Sequence, residues 1–136
     1  MRMKALVVLE KGWRRALTLL PLLGVLAASC STTDITDPDQ IVFPATDVSF
    51  RTHVQPYLAL SCNITGCHDE ARSSNGGVDL TSWVGVRASN VTVAGDTNST
   101  MVLVMYGKIV HSGQFRSTEN QRAGIKQWIR EGAKNN

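Results

Sequence analysis

The chain has no uninterrupted apolar run of the roughly 18 residues that a membrane-crossing helix needs. Its principal apolar stretch, residues 16–28, is shorter and is interrupted by Pro21 and Gly24. Internal repeats are missing too, and a hydrophobic content of 43% is ordinary for a globular chain, which argues against repeat and collagen-like architectures. An excess of one charge sign is absent where it would count. The formal net charge is +3, yet five of the 14 basic residues lie before Cys30, and from there on nine basic residues face ten acidic ones, a net −1. That balance gives no support to a nucleic-acid partner. Cysteine and histidine are scarce, at three of each.

Two of those cysteines and one of those histidines stand together, in Cys62-Asn63-Ile64-Thr65-Gly66-Cys67-His68. Cys-x-x-Cys-His is the usual attachment signature for c-type haem. In that chemistry two thiols add across the haem vinyl groups and the adjacent His becomes the proximal iron ligand. Here four residues separate the thiols instead of two. Other readings of the same residues stay open. A Cys62–Cys67 disulfide would close a small loop in an oxidising compartment, but it leaves His68 unexplained. A zinc site using His53 or Asp69 as a further ligand matches no common zinc spacing. A Cys nucleophile with His as base would need a third, orienting group, and none is visible.

The order of the chain favours export. Residues 1–29 have the layout of a signal peptide, with Arg14 and Arg15 before the apolar run and Ala27, Ala28 and Ser29 leading into Cys30. This pattern resembles a bacterial lipoprotein signal, in which the thiol of Cys30 is acylated; the alternative is an ordinary cleaved signal. Residues 30–46, rich in Ser, Thr, Asp and Pro, read as a flexible tether that buries little apolar area. Residues 47–136 are then the domain.

Inside that domain, Phe50, Val54, Tyr57, Leu58 and Ser61 recur at helical spacing and predict a helix ending near Cys62. Ser49 or Thr52 is its cap, and Pro56 kinks it or starts a second segment. A turn followed by a helix is expected from about Thr81. Another turn falls at residues 94–98, and a two-turn apolar helix runs over 99–106 with Met101, Val102, Leu103, Met105 and Tyr106 as candidates for burial. The closing helix is the clearest. Thr118 and Gln121 form a capping box, Ile125, Trp128 and Ile129 are its buried stripe, continued by Ala133, Gly132 stops it, and Glu131 and Lys134 face outward.

Taken together, these residues resemble the short c-type cytochrome domains of bacterial lipoproteins related to planctomycete-type cytochrome c. The match runs over roughly residues 48–136: residues 48–56 leading into Cys62 and the Cys67-His68-Asp69 triplet, then 76–83 with 94–96 and Ser99, then the closing helix from Ile125. Members of this group with two extra residues between the thiols are known. The resemblance implies an all-α fold, a small cytochrome c-like helical domain around a covalent haem c, with the haem held by Cys62, Cys67 and His68. The family's other iron ligand is usually a Met followed by Pro before the final helix. In this chain His111-Ser112-Gly113 occupies that place. His111 is the first candidate for the sixth ligand and Met105 the second, with Met101 and His53 also considered and an open site as the remaining alternative. A Met ligand raises the reduction potential, and a second His leaves it lower. Trp83, Trp128, Tyr57, Leu58 and Ile125 are expected to pack around the haem.

The expected activity is one-electron transfer to redox protein partners, by a carrier rather than an enzyme. The protein would be anchored to a membrane by the lipid on Cys30, in the bacterial cell envelope, facing the periplasm or on the outer membrane. The alternatives are a haem-free, disulfide-stapled lipoprotein that binds or scaffolds, and a haem sensor with an open sixth position.

Overall fold

The computed structural model describes residues 34–69, 77–113 and 115–136. The expected signal peptide (1–29), the expected acylation site Cys30 and the first residues of the expected tether lie outside them, as do residues 70–76 and 114. Among the described residues there are helices and no strands, so the all-α class is observed. No helix among them is long and apolar enough to cross a membrane.

The first helix begins as a π-helical turn, Phe50–Val54, and continues as α1, Gln55–Ser61. Proline explains the join. Pro56 has no N–H to give to a carbonyl one turn back, and it sits within the first turn of α1, where that N–H would be unpaired anyway. The Ser49 side chain caps the start by accepting from Thr52 N. A second cap comes from the far end of the chain. Asn136 accepts Phe50 N–H on Oδ1 at 2.9 Å, and its carbonyl takes Arg51 N–H at 3.0 Å and the Ser49 hydroxyl at 2.8 Å.

Two short helices follow, α2 at Trp83–Ala88 and α3 at Thr100–Met105, and then the long α4, Glu119–Arg130. Ser82 caps α2 through Gly85 N, so the β-branched residues from Val84 onward start in a helix and not a strand. In α3, Met101, Val102 and Met105 are buried, while Leu103 is half-buried and Tyr106, beyond the helix end, is exposed. The capping box of Thr118 and Gln121 is present in full. Past the C-cap, Gly132 has φ +102°, its N–H reaches Ile129 O, and Ala133 N–H reaches Trp128 O. This paired closure is a Schellman motif, and glycine is the residue that enters it without Cβ strain.

The core centres on α4, which packs against the π-helical turn before α1 and against α3. Tyr57, Val54, Ile125, Trp128 and Ile129 have no exposed surface, and Phe50 packs on Trp128 with ring centroids 5.5 Å apart. Both indoles are satisfied at the C-terminal turn: Trp128 Nε1 donates to Lys134 O and Trp83 Nε1 to Ala133 O.

The tether expectation needs correction over its second half. Ile41 and Phe43 are core residues, 4% and 3% exposed. A 3-10 turn at Pro38–Gln40 precedes them, and α4 holds the segment through its amides. Gln121 Nε2 donates to Pro38 O and Ile41 O, and Asn120 both accepts from Phe43 N and donates to Phe43 O. Phe43 also occupies the space a side chain on Gly124 would fill. Two single apolar residues carry no periodicity, which is why composition reads this stretch as solvent-bound. Glu131 is likewise more than an outward charge, because its two carboxylate oxygens accept the N–H groups of Asp47 and Val48 at 2.8 and 2.9 Å.

Candidate functional site

The loop after α1 carries the two thiols. Cys62 N and Asn63 N both donate to Leu58 O, so the chain leaves the helix under control. The two additional residues between the thiols are absorbed by a turn. Cys67 N–H closes on Ile64 O at 2.9 Å, with Gly66 at φ +88° in the third position and its N–H on Asp69 Oδ2. A left-handed third position is what a type II turn requires. His68 N–H then returns to Cys62 O, and His68 O accepts from Leu80 N. The wider thiol spacing thus folds back on itself and leaves His68 beside the start of the loop.

One cavity collects Cys62, Cys67 and His111. Its floor comes from Leu58 and Ser61 of α1, and its opposite wall from Met101, Val104 and Met105 of α3, with Val91 and Phe115 completing it. The lining is almost wholly apolar. Both thiols are free. Burial, with the neighbouring Cys67 as a smaller contribution, pushes the Cys62 thiol up to about 12, so it stays protonated near neutral pH. Burial does the same to the phenol of Tyr57, which lies on the core side of α1 and donates to Arg116 O at 3.1 Å. That bond ties the helix before the thiols to the loop after His111.

The two histidines meet at the site. His68 Nε2 and His111 Nε2 are 3.5 Å apart, with ring centroids at 5.8 Å. His111 Nδ1 lies 2.8 Å from Gly113 O. A carbonyl only accepts, so Nδ1 carries the proton, and in the neutral ring the lone pair is on Nε2, facing His68. Phe115 stands edge-on to the His111 ring at 5.6 Å. Gly113 must be small for this. A Cβ there would lie 3.0 Å from His111 Cε1.

A metal held by two imidazoles at about 2.0–2.1 Å from each places their nitrogens roughly 3.3 Å apart at a tetrahedral centre and roughly 4 Å apart when they stand on opposite sides of it. The observed 3.5 Å lies between the two. Among the described residues no three His, Cys, Asp or Glu side chains form a metal-binding group. The apolar cavity with two thiols at one edge is about 80 Å³, so a planar macrocycle would sit there only with much of its surface outside the lining.

The sequence candidates separate clearly. Cys62, Cys67, His68 and His111 come together, and Met101 and Met105 line the cavity as buried wall residues. His53 is elsewhere: its ring packs on Phe43 at 5.9 Å and its Nδ1 accepts from Ser49 N. Of the five residues expected around a haem, Leu58 lines the cavity, while Trp83, Trp128, Tyr57 and Ile125 belong to the core or its edge. Sequence reading missed Val91, Val104, Phe115 and Gly113 as site residues. The spacing of Met101, Val104 and Met105 on α3 was the available signal for the far wall. Compared with family models, curated proteins and solved structures, the chain matches none.

Proposed function

We propose that the protein is a monohaem c-type cytochrome that carries single electrons outside the cytoplasm, with His68 and His111 as the side chains that would hold the iron. The observation that carries this reading is the pair of Nε2 atoms facing each other at 3.5 Å beside two free thiols in an apolar cavity. Cys62 and Cys67 would hold the cofactor through thioether bonds. Each thiol would add across one vinyl group, its hydrogen going to the neighbouring carbon, with no net oxidation. Haem bound there supplies a one-electron ferric/ferrous couple.

The chain's own residues do the rest. Gly113 O fixes the tautomer of His111 so that its Nε2 is a ligand, and the carbonyl makes that imidazole a better electron donor. Leu58, Met101, Val104 and Phe115 exclude water from the iron's surroundings. Two nitrogen ligands hold the potential below that of a Met/His pair. Next to His111, Val110 is 98% exposed and Ile109 is exposed as well, an apolar rim against which a redox protein partner can dock. Acylation of Cys30 would hold the domain at a membrane of the cell envelope.

Expression with and without a cytochrome maturation system tests the reading. The expected product is red, keeps its colour through acid–acetone extraction, gains the mass of one haem, and is low-spin in both oxidation states. A colourless product in which Cys62 and Cys67 form a disulfide would sink it in favour of the haem-free module. A haem-loaded protein that binds carbon monoxide freely when reduced would instead favour the sensor.

A further inference from the structure

Two imidazole nitrogens that face each other need something to share. The Nε2 atoms of His68 and His111 stand 3.5 Å apart, beyond the about 2.7–3.2 Å of a good hydrogen bond from nitrogen. A hydrogen bond between them is therefore weak and is not what aligns them. His111 is aligned from behind: its Nδ1 lies 2.8 Å from Gly113 O and Phe115 stands edge-on to its ring at 5.6 Å. A Cβ on Gly113 would lie 3.0 Å from Cε1, so the ring has little room to tilt that way if residue 113 carries a side chain. His68 is held through its backbone, with its N–H on Cys62 O and its carbonyl taking Leu80 N–H. Among the described residues the His68 ring has no other polar partner, so its proton is free to sit on Nδ1. Each Nε2 then offers a lone pair toward the other.

We infer that in the haem-free chain His68 and His111 form a binding site for a zinc ion. Two imidazoles on a tetrahedral ion bring their nitrogens to roughly 3.3 Å, and the observed 3.5 Å is close to that value. Imidazole suits zinc, and the exposure of His111 gives an ion a path to the pair from solvent. Among the described residues the protein supplies two such ligands and not three, so the affinity is that of a two-histidine chelate, in the micromolar range. The ligands are 43 residues apart, on the loops after α1 and α3, so bound zinc ties those loops together. The site goes beyond the haem reading and does not rest on it. On one chain the two exclude each other, because an ion on His68 Nε2 takes the lone pair that iron would need.

The test uses the full chain expressed without a cytochrome maturation system, its thiols kept reduced, and zinc ion alone as the probe. Competition against a chromophoric zinc chelator should give one ion per chain. His111→Ala should weaken binding by more than about a hundredfold and Gly113→Ala by roughly tenfold, since losing a ligand costs more than losing its support. His53→Ala is the control and should bind as wild type, because its ring packs on Phe43 and its Nδ1 accepts from Ser49 N. The free thiols are the competing donors. A chain carrying both Cys62→Ser and Cys67→Ser should keep its affinity. Zinc held equally well by His111→Ala, or lost from the double serine variant, overturns the inference in favour of a thiol site. Should His111→Ala not accumulate, Gly113→Ala decides alone. A wild-type chain that takes no zinc from the chelator overturns the inference outright, while the haem reading is judged separately on colour and mass. A chain that binds zinc and never takes haem removes the haem reading and upholds this site.

Discussion

The contact of the first helix with α4, made at its π-helical turn, and the cavity between α1 and α3 share a helix and are finished to different degrees. On the first side Val54, Tyr57, Ile125, Trp128 and Ile129 have no exposed surface, and the polar groups around them are paired. Two indole N–H groups reach backbone carbonyls, and Gln121, Asn120 and Asn136 bind the chain segments that pass them. On the second side an apolar wall faces space, Cys67 and His111 are exposed, and Val110 lies almost entirely in solvent. A fold that satisfies its amides this thoroughly on one side of α1 has no general shortage of packing. On the function proposed above, this open side is where a bound group would supply the missing contacts.

If that contrast is right, substitutions on the closed side cost stability in the haem-free chain. The largest effect is expected from Trp128→Ala, which empties the core where α4 meets Phe50 of the π-helical turn and strands the Lys134 carbonyl. Urea denaturation should show a loss of about 3–5 kcal/mol, a large part of the 5–15 kcal/mol or so typical of a domain. A loss under about 1 kcal/mol would mean the core is less complete than its burial implies. Next is Gly124→Ala, whose added methyl would overlap the Phe43 ring. Overpacking of this kind costs about 1–3 kcal/mol. Because the clash is with residue 43, Phe43→Ala should relieve it, so the double variant should be less unstable than the two single losses added together.

That second experiment also bears on what was legible beforehand. The closing helix announces itself through Thr118, Gln121, the Ile125-Trp128-Ile129 stripe and Gly132, all local signals, and each is where the sequence placed it. Phe43 was illegible because its burial depends on amides of Asn120 and Gln121 about 80 residues away, which no local pattern encodes. The site divides in the same way. Cys62, Cys67 and His68 are read from one motif, whereas the facing of His111 onto His68 is a tertiary fact across 43 residues. The tryptophans, expected beside a haem, lie in or against the core and outside the cavity lining, for the opposite reason: large aromatics signal burial strongly and say nothing about which of two neighbouring spaces they fill.

Glu131 gives a smaller, pH-dependent effect on the closed side. Burial acts to raise its pKa, but the Gln127 side chain and the N–H groups of Val48 and Asp47 outweigh that and hold the carboxyl below its ordinary value. A carboxyl depressed in the folded state contributes stability above its unfolded pKa and loses it as the pH falls through the folded value. Glu131→Gln should therefore cost roughly 1 kcal/mol at neutral pH, allowing for solvent screening of an exposed group. The difference from wild type should shrink as both are taken into the acid range below the ordinary carboxylate pKa. A difference that stays constant down to low pH would show that lost packing, and not the ionised carboxylate, is responsible.

The smallest stability effect belongs to the open side and is the most discriminating. His111 is exposed, and among the described residues its neighbours are the Phe115 edge, the Gly113 carbonyl and the His68 ring. In the chain without haem, His111→Ala should change unfolding free energy by no more than about 0.5 kcal/mol, as for a surface site with no buried partner. In the haem-loaded chain the same substitution should convert a low-spin spectrum into one with an open or water-filled sixth position. Gly113→Ala should sit between, because its methyl would press on His111 Cε1 from 3.0 Å and weaken the ligand without removing it. Imidazole added to His111→Ala would then restore the low-spin form, since only the ring and not the loop has been lost. If His111→Ala instead destabilises the haem-free chain as Gly124→Ala does, the histidine pair is structural and the contrast between the two sides of α1 fails. If it changes neither stability nor spectrum, Met105 on the cavity wall becomes the ligand to remove next.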